Sequence, residues 1–175
     1  MNELKKDSTK RFIYVEIAYF WIWWNEQNDE MKQLVRMLVN EKRLEFVNGG
    51  WCMNDEASTY YEDIINQQTL GLQFILREFG ECATPRVGWQ IDPFGHSREQ
   101  GSLFSQFGFD GVFLGRIDYQ DSEYRSSELT REMIWKASAN LAQKGQIFAA
   151  ILPNQYGPPS DFCFDAGCRD DPIMV

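Results

Sequence analysis

One short segment, Arg86–Ser97, brings together the residues of this chain that could do chemistry. Its sequence, RVGWQIDPFGHS, is an apolar run that ends on a carboxylate, Asp92, with the only histidine of the chain, His96, four residues later. A carboxylate and an imidazole at this spacing would suit a metal ion on one face of a helix. Pro93 and Gly95 lie between them and argue against a helix here. The spacing alone therefore does not predict a metal site.

Each of these side chains also has an ordinary structural interpretation. Proline disfavours helical geometry at the preceding residue, so Asp92 is predicted to stay extended at the exit of a strand, facing the mouth of a sheet. An Asp-Pro pair is equally a common way to begin a turn. His96 is interpreted most simply as a hydrogen-bonded loop histidine. Arg116, in the sequence GRID, is either a cation facing a ligand at a sheet end or a partner for Asp118.

Strands that alternate with helices would position these residues. The sequence predicts strands in RFIYVEIAYF, LEFVNGGW, RVGWQI and GVFLGRI, and helices in NDEMKQLVRMLVNEKR, STYYEDIINQQTLGLQFILREFG and REQGSLFSQFG. The long second helix is predicted to begin at a Ser/Thr cap and to end at Gly80. This alternation indicates parallel βαβ units, whose ligands gather at the carboxyl ends of the strands. Asp92, Arg116 and the Gly49–Gly50 turn are therefore predicted to share one edge of a parallel sheet of at least four strands.

The pattern changes after Asp118. Two strands, EMIWKAS and QIFAAILP, are predicted without a helix between them, and the tail is rich in Gly, Pro and Asp. The chain is therefore interpreted as one unit, 1–175, that is loop-rich from about 119 to 175. The aromatic run YFWIWW could stack on a sugar, although aromatics at strand spacing more often form core. The segment NDEA, Asn54–Ala57, is interpreted as a cap for the helix that follows.

Composition limits the class of partner. The 175 residues include 43% hydrophobic side chains, with 17 basic and 26 acidic residues that give a formal charge of −9. This balance argues against a nucleic acid or an anionic membrane as the main partner, and a neutral or cationic small ligand fits it better. No apolar run approaches the roughly 18 residues of a membrane helix, and the first residues contain no apolar signal-peptide core. The four cysteines could pair in three ways and include no Cys-x-x-Cys pair.

Several ordered motifs together resemble one enzyme family. They are RFIYVEIAYF…WW, RLEFVNGGWCMNDEA, QTLGLQFILREFG, WQIDPFGHSREQ and FDGVFLGRIDYQD. From about Lys10 to the end, the chain resembles the catalytic domain of α-mannosidases of glycoside hydrolase family 38, most closely the lysosomal type. The resemblance implies an α/β fold, part of a parallel (β/α) barrel-like catalytic domain that is incomplete at both ends. It also implies zinc-dependent, retaining hydrolysis of terminal non-reducing α-D-mannose in lysosomal glycoprotein catabolism.

The resemblance assigns roles to individual residues. Asp92 corresponds to the aspartate that is both the nucleophile and a ligand of the active-site zinc. Phe94 corresponds to the aromatic that lines the mannose subsite, and Arg116 to the arginine that steadies the nucleophile. Tyr156 corresponds to the tyrosine of LPN-x-Y, which reaches the substrate. The physical requirements agree, because a retaining glycosidase needs one carboxylate for attack and a second to move the proton.

The resemblance also implies a disulfide and identifies missing parts. Cys163 and Cys168 match the C-x-x-x-x-C loop and are expected to pair, whereas Cys52 and Cys82 are expected to stay unbridged. The family's His-x-Asp-x-Gly-Trp motif, which supplies two further zinc ligands, is absent from this chain. The last ligand, a histidine, and the acid/base aspartate are expected beyond Val175. The chain is therefore interpreted as a middle portion of the catalytic domain.

Three functions are candidates for such a chain. In the first, the parent enzyme hydrolyses mannose-containing oligosaccharides, and the remainder of the enzyme chain is the partner of this segment. In the second, the chain is a catalytically inactive truncated isoform or fragment with at most residual carbohydrate binding. In the third, it is a metal-dependent carbohydrate deacetylase, which would need a His-x-x-x-His pair that one histidine cannot supply. Neither a nucleic acid nor a membrane span is expected in any of them.

Overall fold

The computed structural model describes residues 1–158 and 162. Within them, helices and strands alternate for most of the chain, and no helix combines the length and the apolar composition needed to cross a membrane. The helices are α1 (Asn2–Lys6), α2 (Ile17–Asn25), α3 (Asp29–Asn40), α4 (Tyr61–Phe79), α5 (Arg98–Gln106) and α6 (Tyr119–Ser127). The strands are β1 (Phe12–Tyr14), β2 (Leu44–Phe46), β3 (Val87–Gln90), β4 (Gly111–Leu114), β5 (Glu132–Lys136) and β6 (Gln146–Ile151).

These strands form two sheets that are linked by one asparagine. β1 and β2 pair in parallel, and the second sheet has the order β3-β4-β6-β5. In the second sheet β3, β4 and β6 are parallel, whereas β5 is antiparallel to β6. Asn48, just after β2, joins the sheets because its backbone N–H donates to the carbonyl of Val87 over 2.7 Å. The predicted parallel sheet of four strands is thus a mixed sheet beside a parallel pair.

Each sheet has its own apolar core. In the first, the ring of Phe20 on α2 packs edge-on against Phe46 of β2 and against Phe79 at the end of α4. In the second, Phe104 of α5 is fully buried beside Val112 of β4. Fully burying one such aromatic side chain contributes about 1.5–3 kcal/mol. The helices therefore fix the sheets, and the sheets fix the loops that leave their carboxyl ends.

The strand predicted in RFIYVEIAYF was largely wrong. Only three residues form β1, and Phe12 and Ile13 in it are exposed. The apolar run instead becomes helix α2, whose buried side chains, Ile17, Phe20 and Trp24, recur at the spacing of a helix. A short run that is apolar on all sides carries no clear period, so strand and helix could not be separated from it.

The other predicted elements differ from the structure mainly at their ends. Helix α4 ends at Gly80 as predicted, but it begins at Tyr61 without a side-chain cap. The serine expected to cap it, Ser58, instead donates its backbone N–H and its hydroxyl to Asp55. The predicted strands after residue 119 are confirmed as β5 and β6, with a short 3-10 helix between them. The same interval was expected to be loop-rich but also contains helix α6.

Candidate functional site

The exits of two neighbouring parallel strands define the candidate site. Gln90 and Leu114 form the last register pair of β3 and β4, and the chain then reaches Asp92 on one strand and Arg116 on the other. Gly115 donates its N–H to the carbonyl of Gln90 over 3.1 Å, which continues the pairing beyond the strands. A Cβ atom on Gly115 would overlap the backbone of the preceding strand end. The missing side chain therefore lets the two exits lie side by side.

Asp92, Arg116 and Tyr156 form a closed set of hydrogen bonds at this edge. Oδ1 of Asp92 accepts from Nη2 of Arg116 over 3.1 Å and from the hydroxyl of Tyr156 over 2.6 Å. Nε of Arg116 donates to the same tyrosine hydroxyl over 2.6 Å. The Asp92 side chain is nevertheless 60% exposed, and its Oδ2 makes no hydrogen bond to a described residue. The site therefore presents a fixed carboxylate with one open oxygen.

The structure does not pair Arg116 with Asp118. Arg116 pairs with Asp92, whereas Asp118 caps helix α6 by accepting from the backbone N–H groups that begin it. The two side chains share one sheet edge, as the strand pattern predicted. The Gly49–Gly50 turn follows β2 and so belongs to the first sheet, which Asn48 ties to β3.

Aromatic rings surround the cation of this site. The Arg116 guanidinium lies 5.8 Å from the ring centre of Phe94 and 5.1 Å from that of Tyr156, within the range of a cation–π contact. Phe94 is 75% exposed although it is large and apolar. An exposed aromatic beside an open carboxylate can pack against a ligand.

The hydrogen bond to Asp92 is the main cause that raises the pKa of Tyr156, and desolvation adds to it.

Two buried side chains, His96 and Glu56, join three segments next to this edge. His96 and Glu56 have side chains only 8% and 2% exposed, and Nδ1 of the histidine is 2.7 Å from Oε2 of the glutamate. The other nitrogen, Nε2, is 2.8 Å from the carbonyl oxygen of Arg116. Burial lowers the pKa of His96, but the hydrogen bond and charge of Glu56, with the Arg116 carbonyl, outweigh it and raise the pKa. The interpretation of His96 as a hydrogen-bonded loop histidine is confirmed.

The NDEA segment does not cap a helix. Asn54 is buried and donates to the side chain of Gln100 over 2.8 Å, while Asp55 closes a local turn by accepting from Ala57. Glu56, the third residue of the segment, binds His96 and was missed in the sequence. The sequence held only a general indication of Glu56, namely that a buried histidine needs a polar partner. The partner lies 40 residues earlier in a loop, where no local periodicity identifies it.

A comparison with protein families decides the membership. The sequence profile described as "Glycosyl hydrolases family 38 N-terminal domain" matches residues 1–172. This chain belongs to that family. The match includes Asp92, Arg116 and Tyr156, the residues that meet at the strand exits. The resemblance drawn from the sequence motifs is therefore confirmed at the level of the family.

Relatives of this family 38 chain include several α-mannosidases. Lysosomal alpha-mannosidase from Cavia porcellus is 53% identical over 99% of this chain and 17% of its own length. The Homo sapiens protein of the same name is 52% identical over 99% of this chain and 17% of its own length. An alpha-mannosidase from Canavalia ensiformis is 47% identical over 98% of this chain and 18% of its own length. This family 38 chain thus spans less than a fifth of the length of these relatives.

Solved structures support the fold of the family 38 chain. An α-mannosidase from Enterococcus faecalis V583 matches with a TM-score of 0.53 at 17% identity and covers 73% of this chain and 13% of that one. The 4-alpha-glucanotransferase from Thermococcus litoralis matches with a TM-score of 0.62 at 16% identity and covers 85% and 22% of the two chains. At these identities the likeness concerns the fold alone, which is mixed α/β with parallel strands.

The zinc expected for a family 38 enzyme finds one suitable donor here. A catalytic zinc ion takes three protein ligands plus an open position. The Asp92 carboxylate is a donor of the right chemistry, but both nitrogens of His96 are already engaged. Within the described residues no group of three or more His, Cys, Asp or Glu side chains is placed to hold a metal ion. These residues can contribute one carboxylate to a zinc site but do not complete one.

The cysteine predictions for this family 38 chain divide in two. Cys163 and Cys168, which are expected to pair, lie outside the described residues. Cys52 and Cys82 are exposed and form no disulfide within the part of the chain that the structure describes.

Proposed function

We propose that this chain supplies the nucleophile of a retaining α-mannosidase that removes terminal non-reducing α-D-mannose from glycoprotein glycans. Family membership supports a glycoside hydrolase, and the relatives are named α-mannosidases. The observation that carries the proposal is the exposed Asp92 carboxylate, held at a strand exit by Arg116 and Tyr156 with one oxygen open.

In this mechanism the open oxygen of Asp92 attacks the anomeric carbon of the bound mannose. The glycosidic C–O bond breaks as an ester bond to Asp92 forms, and the leaving oxygen takes a proton from a second carboxylic acid. Water then cleaves the ester, and the second carboxylate accepts the proton of that water. Because the anomeric carbon is attacked twice, its configuration is retained. We propose that this acid/base residue lies outside the described residues.

The neighbours of Asp92 have separate roles in this proposal. Arg116 and Tyr156 hold one carboxylate oxygen, so the other is aimed before the substrate arrives, and such orientation lowers the barrier to attack. Phe94 offers its exposed ring to the apolar face of the sugar. The buried His96 contacts the backbone carbonyl of Arg116 over 2.8 Å.

We propose zinc as the cofactor, with Asp92 as one of its ligands and the remaining ligands outside the described residues. When bound, zinc supplies a positive charge that can bind sugar hydroxyls and polarise oxygen atoms. The donor chemistry of Asp92 supports this part, since zinc accepts carboxylate oxygen. Cys163 and Cys168 are proposed to pair as a disulfide.

The wider setting is also a proposal. We propose that the parallel strands are an arc of a (β/α) barrel, because their exits carry the site as barrel strands do. We propose a lysosomal parent enzyme, since relatives with about half of the residues identical are named lysosomal. The second candidate function is an inactive chain with at most residual carbohydrate binding.

A hybrid protein tests the role of Asp92. In it, this chain replaces the corresponding segment of the Homo sapiens relative, which is 52% identical to it. We expect the hybrid protein to cleave an aryl α-mannoside and to lose turnover in Asp92→Asn. Asp110→Asn is a matched control, because Asp110 is also 60% exposed and paired with an arginine, Arg86, but precedes β4 at the opposite sheet edge. Turnover that survives Asp92→Asn would contradict the proposal.

A trapped intermediate gives a second test. A fluorinated mannosyl fluoride forms the enzyme ester faster than water cleaves it, so the sugar accumulates on the nucleophile. Mass spectrometry of the digested hybrid protein should find one added sugar on the peptide that contains Asp92. A sugar on another peptide would assign the nucleophile elsewhere.

A further inference from the structure

His96 connects the exits of three strands. Its own segment leaves β3, the carbonyl it contacts belongs to Arg116 after β4, and its partner Glu56 lies in the loop that follows β2. Glu56 uses its second oxygen as well, because Oε1 accepts the backbone N–H of Ser97 over 3.0 Å. These contacts join the loops that follow β2, β3 and β4.

The chemistry of the acceptors limits which nitrogens of His96 carry hydrogens. A backbone carbonyl can only accept, so Nε2 must carry a hydrogen to bind the Arg116 oxygen. When the Glu56 carboxylate is ionised it also only accepts, so Nδ1 then carries a hydrogen to bind it. A histidine with hydrogens on both nitrogens is the imidazolium cation. The direction of the His96 pKa, which is raised, agrees with this assignment.

We propose that the buried His96–Glu56 ion pair is a positioning pair that holds Arg116, and through it Asp92, in place for attack. The proposal rests on the proposed nucleophilic role of Asp92. Loss of the Nδ1 hydrogen would turn a nitrogen lone pair toward the Glu56 carboxylate across 2.7 Å. The ring would then be repelled from its anchor, and its contact with the Arg116 carbonyl would be displaced with it.

Other charged groups face His96 from the neighbouring elements. Asp55 shares a small cavity with Glu56 and His96. On the other side, a cavity of about 340 Å³ has His96 on its wall together with Asp118, Asp121 and Arg125. Asp121 is paired with Arg125 over 2.9 Å, and Asp118 caps a helix, so neither carboxylate is a direct partner of His96. Removal of the Glu56 carboxylate should therefore change the position of the His96 ring.

The single histidine makes the test direct. Nuclear magnetic resonance of the ¹⁵N-labelled 175-residue chain shows one histidine ring, so its two nitrogens need no separation from others. We expect hydrogens on both nitrogens near neutral pH and a titration midpoint above that of an unstructured histidine peptide. The Nε–H signal of Arg116, assigned by its loss in Arg116→Lys, should shift with the same midpoint. A neutral ring, or an Arg116 signal that ignores the His96 titration, would overturn the proposal.

Two variants of Glu56 separate the effect of its charge from the effect of its hydrogen-bonding side chain. In Glu56→Gln the new amide can donate to a neutral Nδ1, so the Arg116 signal should keep its position while the His96 midpoint falls. In Glu56→Ala no partner is left, so the Arg116 signal should move. Asp121→Asn is the control and should leave both signals near their wild-type values. Where circular dichroism shows that a variant has not folded, the wild-type titration alone decides.

The catalytic consequence is measured in the hybrid protein. Misplacement of a reacting group by roughly 1 Å can cost about 10²-fold in rate, so His96→Phe should lower kcat by about that factor with little change in KM. An unchanged kcat would overturn the positioning role. Turnover that survives Asp92→Asn would instead defeat the proposed function, and the Arg116 signal would still report whether the pair positions that side chain.

Discussion

At the scale of single residues, the Tyr156 hydroxyl stands between opposite charges. It donates to Asp92 and accepts from Arg116, and the carboxylate is the main reason why the pKa of Tyr156 is raised. We predict that Asp92→Asn lowers the pKa of Tyr156, because a neutral amide no longer opposes the phenolate. The measurement is the ultraviolet titration of the 175-residue chain minus that of Tyr156→Phe. Asp110→Asn should leave the difference curve unchanged, and an unchanged curve in Asp92→Asn would contradict the contact.

The buried pair predicts how stability depends on pH. Because folding raises the pKa of His96, the pair contributes its full stabilisation below the pKa of the unfolded chain. That contribution is lost as the pH rises through the folded pKa of His96. The urea midpoint of the chain should therefore fall across this window, and Glu56→Gln should flatten the fall. A midpoint that rises over the same window would contradict the sign of the shift.

Residue patterns in the sequence located one half of the site. Pro93 places Asp92 at a strand exit, and the parallel alternation brings Arg116 to the same edge. Glu56 could not be found in this way, because its contact with His96 spans 40 residues and depends on where a loop folds. Local sequence rules describe the bonds that neighbours make, whereas this pair is formed by tertiary packing.

At the scale of elements, a glycine controls the distance between two strand exits. A Cβ atom at Gly115 would overlap the backbone of Ile91, just before Asp92. Backbone cannot move aside as a flexible side chain can, so Gly115→Ala should push the exits apart and destabilise the chain by about 1–3 kcal/mol. In the hybrid protein it should also reduce turnover. Gly95→Ala is the control, since a Cβ there meets no atom within 4 Å.

Urea unfolding of both glycine variants checks this prediction. Equal midpoints for Gly115→Ala and wild type would show that the strand exits can separate without cost. A large loss in Gly95→Ala would show instead that any added methyl group near the site is harmful.

The elements that the sequence misassigned share a physical cause. Helix α2 is apolar on nearly every side and helix α6 contains no buried residue, so neither shows the one-sided period that identifies a surface helix. Helix α3, with polar and apolar faces, was predicted within a few residues. The strands β3, β4 and β6 were also found, because their β-branched and aromatic residues are bounded by glycine and polar turns.

At the scale of the whole molecule, the candidate site at the strand exits contains one exposed carboxylate, that of Asp92. A catalytic zinc needs more donors than that, and retaining hydrolysis needs a second carboxylic acid. We predict that the 175-residue chain alone does not cleave an aryl α-mannoside with zinc added, whereas the hybrid protein does. Clear turnover by the chain alone, lost in Asp92→Asn, would show that residues of this chain complete the site.

The contact between His96 and Arg116 has a consequence for protein engineering. His96 contacts the backbone carbonyl at position 116. This contact can therefore form whichever side chain that position carries. In a saturation library of the hybrid protein, substitutions at Phe94 and Arg116 should change turnover at constant protein yield. Substitutions at Glu56 and His96 should reduce both together. Position 94 is therefore the place where selectivity for a new sugar can be selected at low risk to the scaffold, whereas Arg116 is needed to hold Asp92.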